Sequence, residues 1–232
     1  MTQSLDILIF GAHPDDAEIG MGATIYKHTQ VGYRVGICDL TRAEMSSNGT
    51  VETRRLEAET ASQILGLSVR ANLELPDRGL TMEAGQVAAI AKEIRRHRPK
   101  IVFAPFWQDR HPDHVMCSHL VGEAVFNAKL RKYLPEFEPV QVEQVYYYFI
   151  NDVQKPDLLV DVSDVYEHKL AALRAYQSQF MPPAEQEDRV ETPLNRGYLE
   201  NVEARDRVLG QQSICRYAEG FISKQPYRVN FF

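Results

Sequence analysis

Short runs of apolar, often β-branched residues alternate along this chain with stretches whose apolar positions recur at helical spacing. The apolar runs predict strands at residues 5–10, 34–40, 101–104, 145–150 and 158–162. The helical spacing predicts helices at residues 17–31, 51–65, 82–97, 165–177 and 199–212, with one more that starts near His114. Gly66 stands directly after the second of these helices, in the position typical of a helix stop.

This alternation of strand and helix is typical of consecutive βαβ units. We therefore expect an α/β fold of Rossmann-like type, with a mostly parallel open sheet and helices on both faces. In such folds ligands bind outside the carboxyl ends of the strands, so residues that directly follow a strand are the first candidates for a site. A length of 232 residues suits one core, and we expect a single domain over residues 1–232.

The composition of the chain narrows the kinds of molecule that it could bind and the compartment that it suits. A formal net charge of −6 argues against a surface that follows nucleic-acid phosphates. The three cysteines form no Cys-x-x-Cys pair, so neither a disulfide framework nor a thiolate zinc site is indicated, and a reducing cytosol fits best. The first residues show no signal-peptide pattern, and no run approaches about 18 apolar residues. We expect a cytoplasmic protein that enters no membrane.

Two clusters of histidine and aspartate directly follow predicted strands. Residues 11–16 read GAHPDD, and residues 109–114 read DRHPDH. Together they supply nitrogen and oxygen ligands that zinc accepts, from His13, Asp15, Asp16, His111, Asp113 and His114. A separation of three, as between His13 and Asp16, lets two side chains converge on one side of a helical turn. A catalytic zinc takes three protein ligands and keeps one position open, so spacing alone leaves the ligand set undecided.

Roles follow from the chemistry of these side chains. Asp15 is the candidate general base if it stays unligated, because a carboxylate beside activated water can take its proton. His111 is the candidate for stabilising an oxyanion, and a neighbouring carboxylate such as Asp113 would hold it toward the protonated form. The other histidines fall within helical patterns and are predicted to be structural; they are His28, His97, His119 and His168.

Other interpretations compete with a metal hydrolase. Gly20 and Gly22 form a Gly-x-Gly, which leaves open a non-catalytic metal- or nucleotide-binding α/β protein, although Asp15 and Asp16 would repel a pyrophosphate. No Gly-x-Ser-x-Gly elbow and no Gly-Lys-Ser/Thr loop is present. The Pro-rich, charged segment 181–197 is either a lid or a surface excursion, and the sequence favours the surface excursion.

The motifs resemble those of the zinc-dependent LmbE/PIG-L N-acetylglucosaminyl deacetylases, whose signatures are Ala-His-Pro-Asp-Asp and His-Pro-Asp-His. The similarity covers nearly the whole chain and is carried by GAHPDDAEIGMGATI, LTRAEMSSNGTVETRRLEA, LPDRGL, DRHPDHVMCSHL, VYYYFIN, AYQSQF and RYAEGF. These segments are similar to the bacillithiol-biosynthesis branch, whose substrate is N-acetylglucosaminyl malate. The resemblance implies one LmbE-like deacetylase domain over residues 1–232 with a Rossmann-like fold.

The resemblance also implies residue roles. His13, Asp16 and His114 would bind zinc, and Asp15 would be the general base. His111 would polarise the substrate carbonyl and stabilise the oxyanion, with Asp113 tuning a neighbouring histidine.

For substrate binding, Arg54 matches a family arginine, and a guanidinium can grip a malate carboxylate with two parallel hydrogen bonds. Arg110, which flanks the second motif, is a further candidate. Tyr198, just beyond the segment 181–197, could approach the substrate or only pack.

The resemblance implies a small N-acetylated sugar as substrate and a homo-oligomer, a hexamer by analogy with the family. Iron(II) suits the same ligands as zinc. A rival hypothesis within the hydrolases is a deacetylase of another N-acetylated sugar, such as a chitooligosaccharide. The zinc chemistry acts on the acetamide group and does not depend on the aglycone.

Overall fold

A computed structural model describes residues 4–181 and 190–226. Seven strands form one sheet in the order β3-β2-β1-β4-β5-β7-β6. The strands are β1 (Ile7–Gly11), β2 (Val35–Thr41), β3 (Val69–Leu75), β4 (Ile101–Pro105), β5 (Gln144–Tyr148), β6 (Leu158–Asp161) and β7 (Ala218–Ser223). The first five strands pair in parallel, and β7 is antiparallel to both β5 and β6. The expected mostly parallel sheet is confirmed.

Helices alternate with the strands through the first two thirds of the chain. They are α1 (Asp16–Gln30), α2 (Val51–Leu65), α3 (Ala84–His97), α4 (Pro112–Ala128), α5 (Tyr166–Ala175), α6 (Gln177–Phe180) and α7 (Tyr198–Gln212), with a short 3-10 helix at Pro193–Asn195. Gly66 ends α2 in the left-handed conformation, with φ 69°, as predicted. Among the helices of residues 4–181 and 190–226, none combines the length and apolar character that a bilayer span requires.

The helices cover both faces of the sheet. One core cluster packs α3 and α4 against the sheet, with Ile90, Ile94 and Leu120 fully buried. The other packs α1, α2, α5 and α7 on the opposite face, and it contains Ile9 and Leu65. Two buried faces explain why the central strands read as continuous apolar runs.

Two strands were missing from the sequence-based expectation. β3 reads VRANLEL and lies at an edge of the sheet, where its alternating charged and polar residues are partly exposed. β7 reads AEGFIS, so a buried carboxylate, Glu219, and Gly220 interrupt its apolar pattern. In both strands tertiary context outweighs local composition.

Helix α1 is kinked, and buried charges satisfy the backbone at the kink. Met21 departs from helical geometry with φ −151° and ψ 26°. The Glu219 carboxylate accepts hydrogen bonds from the backbone N–H groups of Ala23 and Thr24, at 3.1 and 2.7 Å. On the other side of the kink, the Arg205 guanidinium donates to the carbonyl oxygen of Ile19 at 2.7 Å. Side chains thus bind three of the backbone groups at the kink, the N–H groups of Ala23 and Thr24 and the carbonyl oxygen of Ile19.

Lys169 completes this buried cluster. Its side chain is fully buried, and Nζ donates to the carboxylates of Asp206 and Glu219, each at 2.7 Å. The ammonium therefore balances the carboxylate that caps the second half of α1.

Gly20 and Gly22 lie inside α1 rather than in the loop that precedes it. A Cβ on Gly20 would lie 2.1 Å from Cδ2 of Tyr148, a ring that is itself fixed because its hydroxyl donates to the carbonyl oxygen of Phe10 at 2.7 Å. Gly20 therefore serves the close approach of α1 to β5. The Gly-x-Gly is a packing feature, which removes the basis for a phosphate cradle.

Replacing Gly20 by alanine should destabilise the fold by about 1–3 kcal/mol, because neither the tyrosine ring nor the strand behind it can move away. Gly85→Ala is the matched control: it lies in α3 with nothing within 4 Å of the added Cβ, and alanine favours helix by up to about 1 kcal/mol. Chemical denaturation of both variants measures the difference. Equal midpoints for the two variants would contradict the packing argument.

Candidate metal centre and active site

The two histidine and aspartate motifs lie side by side because their strands are neighbours. β1 pairs in parallel with β4, with Ile7 opposite Ile101 and Ile9 opposite Phe103. The loop that follows each strand therefore emerges at the same edge of the sheet. β2 lies on the other side of β1, so the strand order runs in opposite directions along the sheet on the two sides of β1. Open α/β sheets build their binding sites at such a switch point.

Asp16 is the residue that joins the two motifs. Its Oδ1 lies 3.1 Å from Nε2 of His114, and its Oδ2 lies 3.6 Å from Nδ1 of His13. Oδ2 also accepts the backbone N–H of His13 at 2.9 Å, which fixes the loop. All three side chains are buried, with at most 11% of each exposed.

These donors lie close enough together to share a metal ion. Ligand atoms at about 2.0–2.1 Å from a tetrahedral zinc are separated from each other by about 3.3 Å, and the contacts of the two Asp16 oxygens with the histidines, at 3.1 and 3.6 Å, lie near that value. A second grouping, in which the atoms of His13, His111 and His114 lie within 4.8 Å of one another, contains the same two histidines. The structure thus brings together a possible metal-binding His/Asp group.

Each of these two histidines also contacts further carboxylates on its other ring nitrogen. Nδ1 of His114 lies 3.0 Å from Oδ1 of Asp109. Nε2 of His13 lies 3.3 Å from Oδ1 of Asp77 and 3.5 Å from Oδ2 of Asp113. Carboxylates in this outer position orient metal-binding histidines and raise their basicity.

The pKa values of the site reflect these contacts. Burial opposes protonation of His114, but the charge of Asp16 and the hydrogen bonds from Asp109 and Asp16 outweigh it and raise the pKa to about 9. Burial also acts against His13, whose pKa the neighbouring carboxylates raise well above its ordinary value. The pKa of Asp109 falls to about 2, because the hydrogen bonds and charge of its partners, His114 first, exceed the effect of burial.

Asp15 adopts a different environment from its neighbour Asp16. Its φ of 122° is strained for a residue with a side chain, and it precedes the first helical residue of α1. Its Oδ2 accepts a hydrogen bond from Nη2 of Arg54 at 2.7 Å. Burial raises the pKa of Asp15 to about 7, with the Arg54 charge opposing that rise. Asp15 is therefore a carboxylate beside the histidines and paired with an arginine.

Arg54 is fixed by several contacts. Nε donates to the carbonyl oxygen of Pro14 at 2.8 Å, and the guanidinium lies 5.6 Å from the centre of the Tyr176 ring. Its Nη1 is buried and makes no hydrogen bond within residues 4–181 and 190–226. Arg54 thus supports Asp15 and keeps one nitrogen without a partner in this part of the chain.

His111 caps the N-terminus of α4. Nδ1 of His111 accepts the backbone N–H of Asp113 at 3.2 Å, so its proton belongs on Nε2. Burial, followed by the charges of His114 and His13, lowers the pKa of His111. The charge of Asp113 acts to raise this pKa, as expected, but burial and the two histidines outweigh it. The Asp113 carboxylate faces His13 and accepts from Nη1 of Arg78 at 2.8 Å.

A cavity of about 710 Å³ opens onto the cluster. It brings together all the predicted site residues except Asp113, and its lining includes His13, Asp15, Asp16, Arg54, Arg110, His111 and His114. Arg110 is exposed, and its Nη2 donates to Oδ1 of Asn151 at 3.2 Å. Tyr198 also lines the cavity and donates to the same oxygen at 3.1 Å.

The segment 181–197 contributes to the wall of this cavity. Residues 182–189 lie outside the described residues, but Thr192, Pro193 and Leu194 line the cavity. The Asn48 amide fixes this part, because Nδ2 donates to the carbonyl oxygen of Val190 at 2.8 Å and Oδ1 accepts its N–H at 2.9 Å. Residues 192–194 therefore form part of the cavity wall, while Pro193 is exposed at the surface.

Sequence reasoning missed Asp77, Asp109 and Asn151. Asp109 belongs to the DRHPDH motif, where its position directly after β4 was an available signal. Asn151 donates both its backbone and side-chain N–H groups to Asp109, at 3.0 and 2.9 Å. Asp77 lies in the LPDRGL segment that carries part of the family resemblance, but it follows β3, a strand that was not predicted, so its contact with His13 was missed.

Together the fold and the cluster define an α/β protein with a candidate metal centre at the carboxyl edge of its parallel strands. The family model for GlcNAc-PI de-N-acetylase, PIG-L, matches residues 8–125, which include both motifs. The chain belongs to the PIG-L family.

Similarity to individual proteins extends over most of the chain. Diacetylchitobiose deacetylase of Thermococcus kodakarensis is 35% identical over 229 residues, covering 92% of this chain and 81% of that protein. A probable N-acetyl-α-D-glucosaminyl L-malate deacetylase 2 of Bacillus cereus is 30% identical over 190 residues, covering 75% and 83%. The crystal structure of the conserved protein TT1542 from Thermus thermophilus superposes with a TM-score of 0.89 at 40% identity, covering 97% of each chain.

Proposed function

We propose that this protein is a zinc-dependent hydrolase that removes acetate from an N-acetylglucosaminyl conjugate. The predicted substrate is N-acetyl-glucosaminyl L-malate, which would yield glucosaminyl malate for bacillithiol biosynthesis. One observation carries the proposal: Asp15 lies beside the cluster of His13, Asp16 and His114 but pairs with Arg54 instead of a histidine. The arrangement separates a candidate base from the candidate ligands.

The metal would be held by His13, Asp16 and His114, because both histidines contact the Asp16 carboxylate, at 3.6 and 3.1 Å. When bound, the ion supplies Lewis-acid chemistry, polarising a carbonyl oxygen and making water a nucleophile at neutral pH. Zinc suits this set of imidazole and carboxylate ligands, and iron(II) suits it as well.

The other residues of the site handle protons and charge. Asp15 accepts the proton of the attacking water and returns it to the amine nitrogen as the amide bond breaks. Arg54 fixes the orientation of the Asp15 carboxylate through Nη2. Because Nδ1 of His111 accepts a backbone N–H, its Nε2–H is free to donate to the oxyanion of the tetrahedral intermediate. The products are acetate and a free amine.

An acidic aglycone is supported by the arginines that line the cavity, Arg54, Arg78 and Arg110. A guanidinium recognises a carboxylate with two parallel hydrogen bonds, and Nη1 of Arg54 has no partner within the described residues. Diacetylchitobiose is the second candidate substrate, supported by the 35% identical relative that acts on it. A cytoplasmic homo-oligomer, a hexamer by analogy with the family, stays a prediction from the resemblance.

Asp15→Asn should lower kcat for either substrate by about 10²–10⁴-fold, because the amide cannot accept a proton. Asparagine is preferred to alanine here because it tolerates positive φ, and Asp15 has φ 122°. The zinc content, measured by elemental analysis of the same preparation, should stay close to that of the wild type. Full activity in this variant would remove Asp15 from the mechanism.

Arg54→Lys separates the two candidate substrates. The kcat should fall for both, because Lys cannot reproduce the contacts with Asp15 and Pro14. The KM for the malate conjugate should rise by about 10-fold more than the KM for diacetylchitobiose, since one charged hydrogen bond is lost. Amine release with each substrate measures both constants.

Arg55→Lys is the matched control for this experiment. Arg55 is the next residue of α2, but its exposed side chain pairs with Glu52 and Glu59 on the surface. It should leave both kinetic constants unchanged. Equal changes in KM for the two substrates in Arg54→Lys would argue for the neutral sugar.

A further inference from the structure

We propose that Asp77 is a positioning residue that sets which nitrogen of His13 faces the metal. His13 would then offer Nδ1 and His114 would offer Nε2, with Asp16 between them. The inference rests on the proposed metal site and deepens it, because it assigns the orientation of a ligand to a residue on the loop after β3.

The contacts of His13 place its proton on Nε2. This nitrogen lies 3.3 Å from Oδ1 of Asp77 and 3.5 Å from Oδ2 of Asp113. An ionised carboxylate only accepts hydrogen bonds, and Nε2 is the ring nitrogen within hydrogen-bond distance of one, so an imidazole that gave its other nitrogen to a metal ion would carry its hydrogen on Nε2. The lone pair is then on Nδ1, the nitrogen that lies 3.6 Å from Oδ2 of Asp16.

His114 is oriented in the opposite sense by the same principle. Its Nδ1 lies 3.0 Å from Asp109, and its Nε2 lies 3.1 Å from Oδ1 of Asp16. Each histidine therefore has one nitrogen held by an outer carboxylate and the other directed toward Asp16. This is the arrangement in which outer carboxylates fix the tautomer of metal-binding imidazoles.

Asp77 is well fixed for this role. Its side chain is only 5% exposed, and its Oδ2 accepts the backbone N–H of Met45 at 2.9 Å while Oδ1 faces His13. Its own backbone N–H donates to Oε1 of Glu44 at 2.8 Å. These reciprocal contacts join the loop after β3 to the loop after β2, so the carboxylate cannot turn away from His13 without breaking them.

An alternative is that His13, Asp77 and Asp113 themselves form a second cation site, since their ligand atoms lie within 4.8 Å of one another. The contacts of Asp113 argue against it. Both of its oxygens bind Arg78, one through the backbone N–H at 3.0 Å and one through Nη1 at 2.8 Å. A divalent ion there would lie against a guanidinium, and repulsion disfavours it. The carboxylates at Nε2 of His13 therefore orient the imidazole and do not form a second cation site.

Asp77→Asn tests the assignment through metal affinity. The single oxygen of an asparagine can accept from the backbone N–H of Met45 or from Nε2 of His13, but not from both. Its NH₂ group then faces the remaining N–H donor, so one of the two hydrogen bonds is lost. We expect the zinc affinity of the full-length protein to fall by about 10–100-fold, measured by competition with a chromophoric chelator. Glu74→Gln is the matched control, because it removes a carboxylate of β3 that is exposed and pairs with Arg42. It should bind zinc as the wild type does.

A second measurement needs no variant of Asp77. Long-range ¹H–¹⁵N spectra of the zinc-loaded wild type should show the proton of His13 on Nε2 and that of His114 on Nδ1. His13→Asn and His114→Asn spectra assign the signals. A proton on Nδ1 of His13, or an unchanged zinc affinity in Asp77→Asn, would overturn the proposal, as would two zinc ions per chain. A wild type that binds no zinc would instead overturn the metal site itself and this inference with it.

Discussion

The parallel pairing of β1 with β4 is the constraint on which the site depends. It brings the loop that carries His13, Asp15 and Asp16 beside the loop that carries His111 and His114, although the two are about a hundred residues apart in sequence. Asp16 can contact both histidines only because these strands are neighbours in matching register. β2 and β3 extend the sheet on one side, and their loops contribute the residues that orient His13.

Charge balance explains why so many carboxylates can gather at one edge of a sheet. Arg54 pairs with Asp15, and Arg78 pairs with Asp113. The carboxylates of Asp16 and Asp109 face histidines instead. Burial alone would raise the pKa of each of these two carboxyl groups, yet the histidines keep both pKa values low. A divalent cation among the same groups would replace the protons of the imidazoles, which couples metal binding to proton release.

The fold and the inner site could be predicted from sequence because each follows from local signals. Apolar runs identified the central strands, and the two motifs stand directly after two of them. The outer shell could not be predicted in the same way. The position of Asp77 depends on β3, an edge strand whose charged residues obscure its alternating pattern, and the lowered pKa of His111 depends on its burial and on the charges of His114 and His13. Asp77 and His13 are 64 positions apart in sequence, and the burial of His111 follows from the whole fold, so no local pattern reports either one.

Asp15 and Asp16 show how adjacent residues acquire different chemistry. Asp15 leaves helical geometry at φ 122° and its carboxylate reaches Arg54 on α2, whereas Asp16 begins α1 and reaches the histidines. This division requires that the first turns of α1 stay in place. They are held at the kink by Arg205, which binds the carbonyl oxygen of Ile19, while Glu219 caps the second half of the helix. The buried cluster at the kink of α1 therefore helps to keep Asp15, the candidate base, apart from Asp16, the candidate ligand.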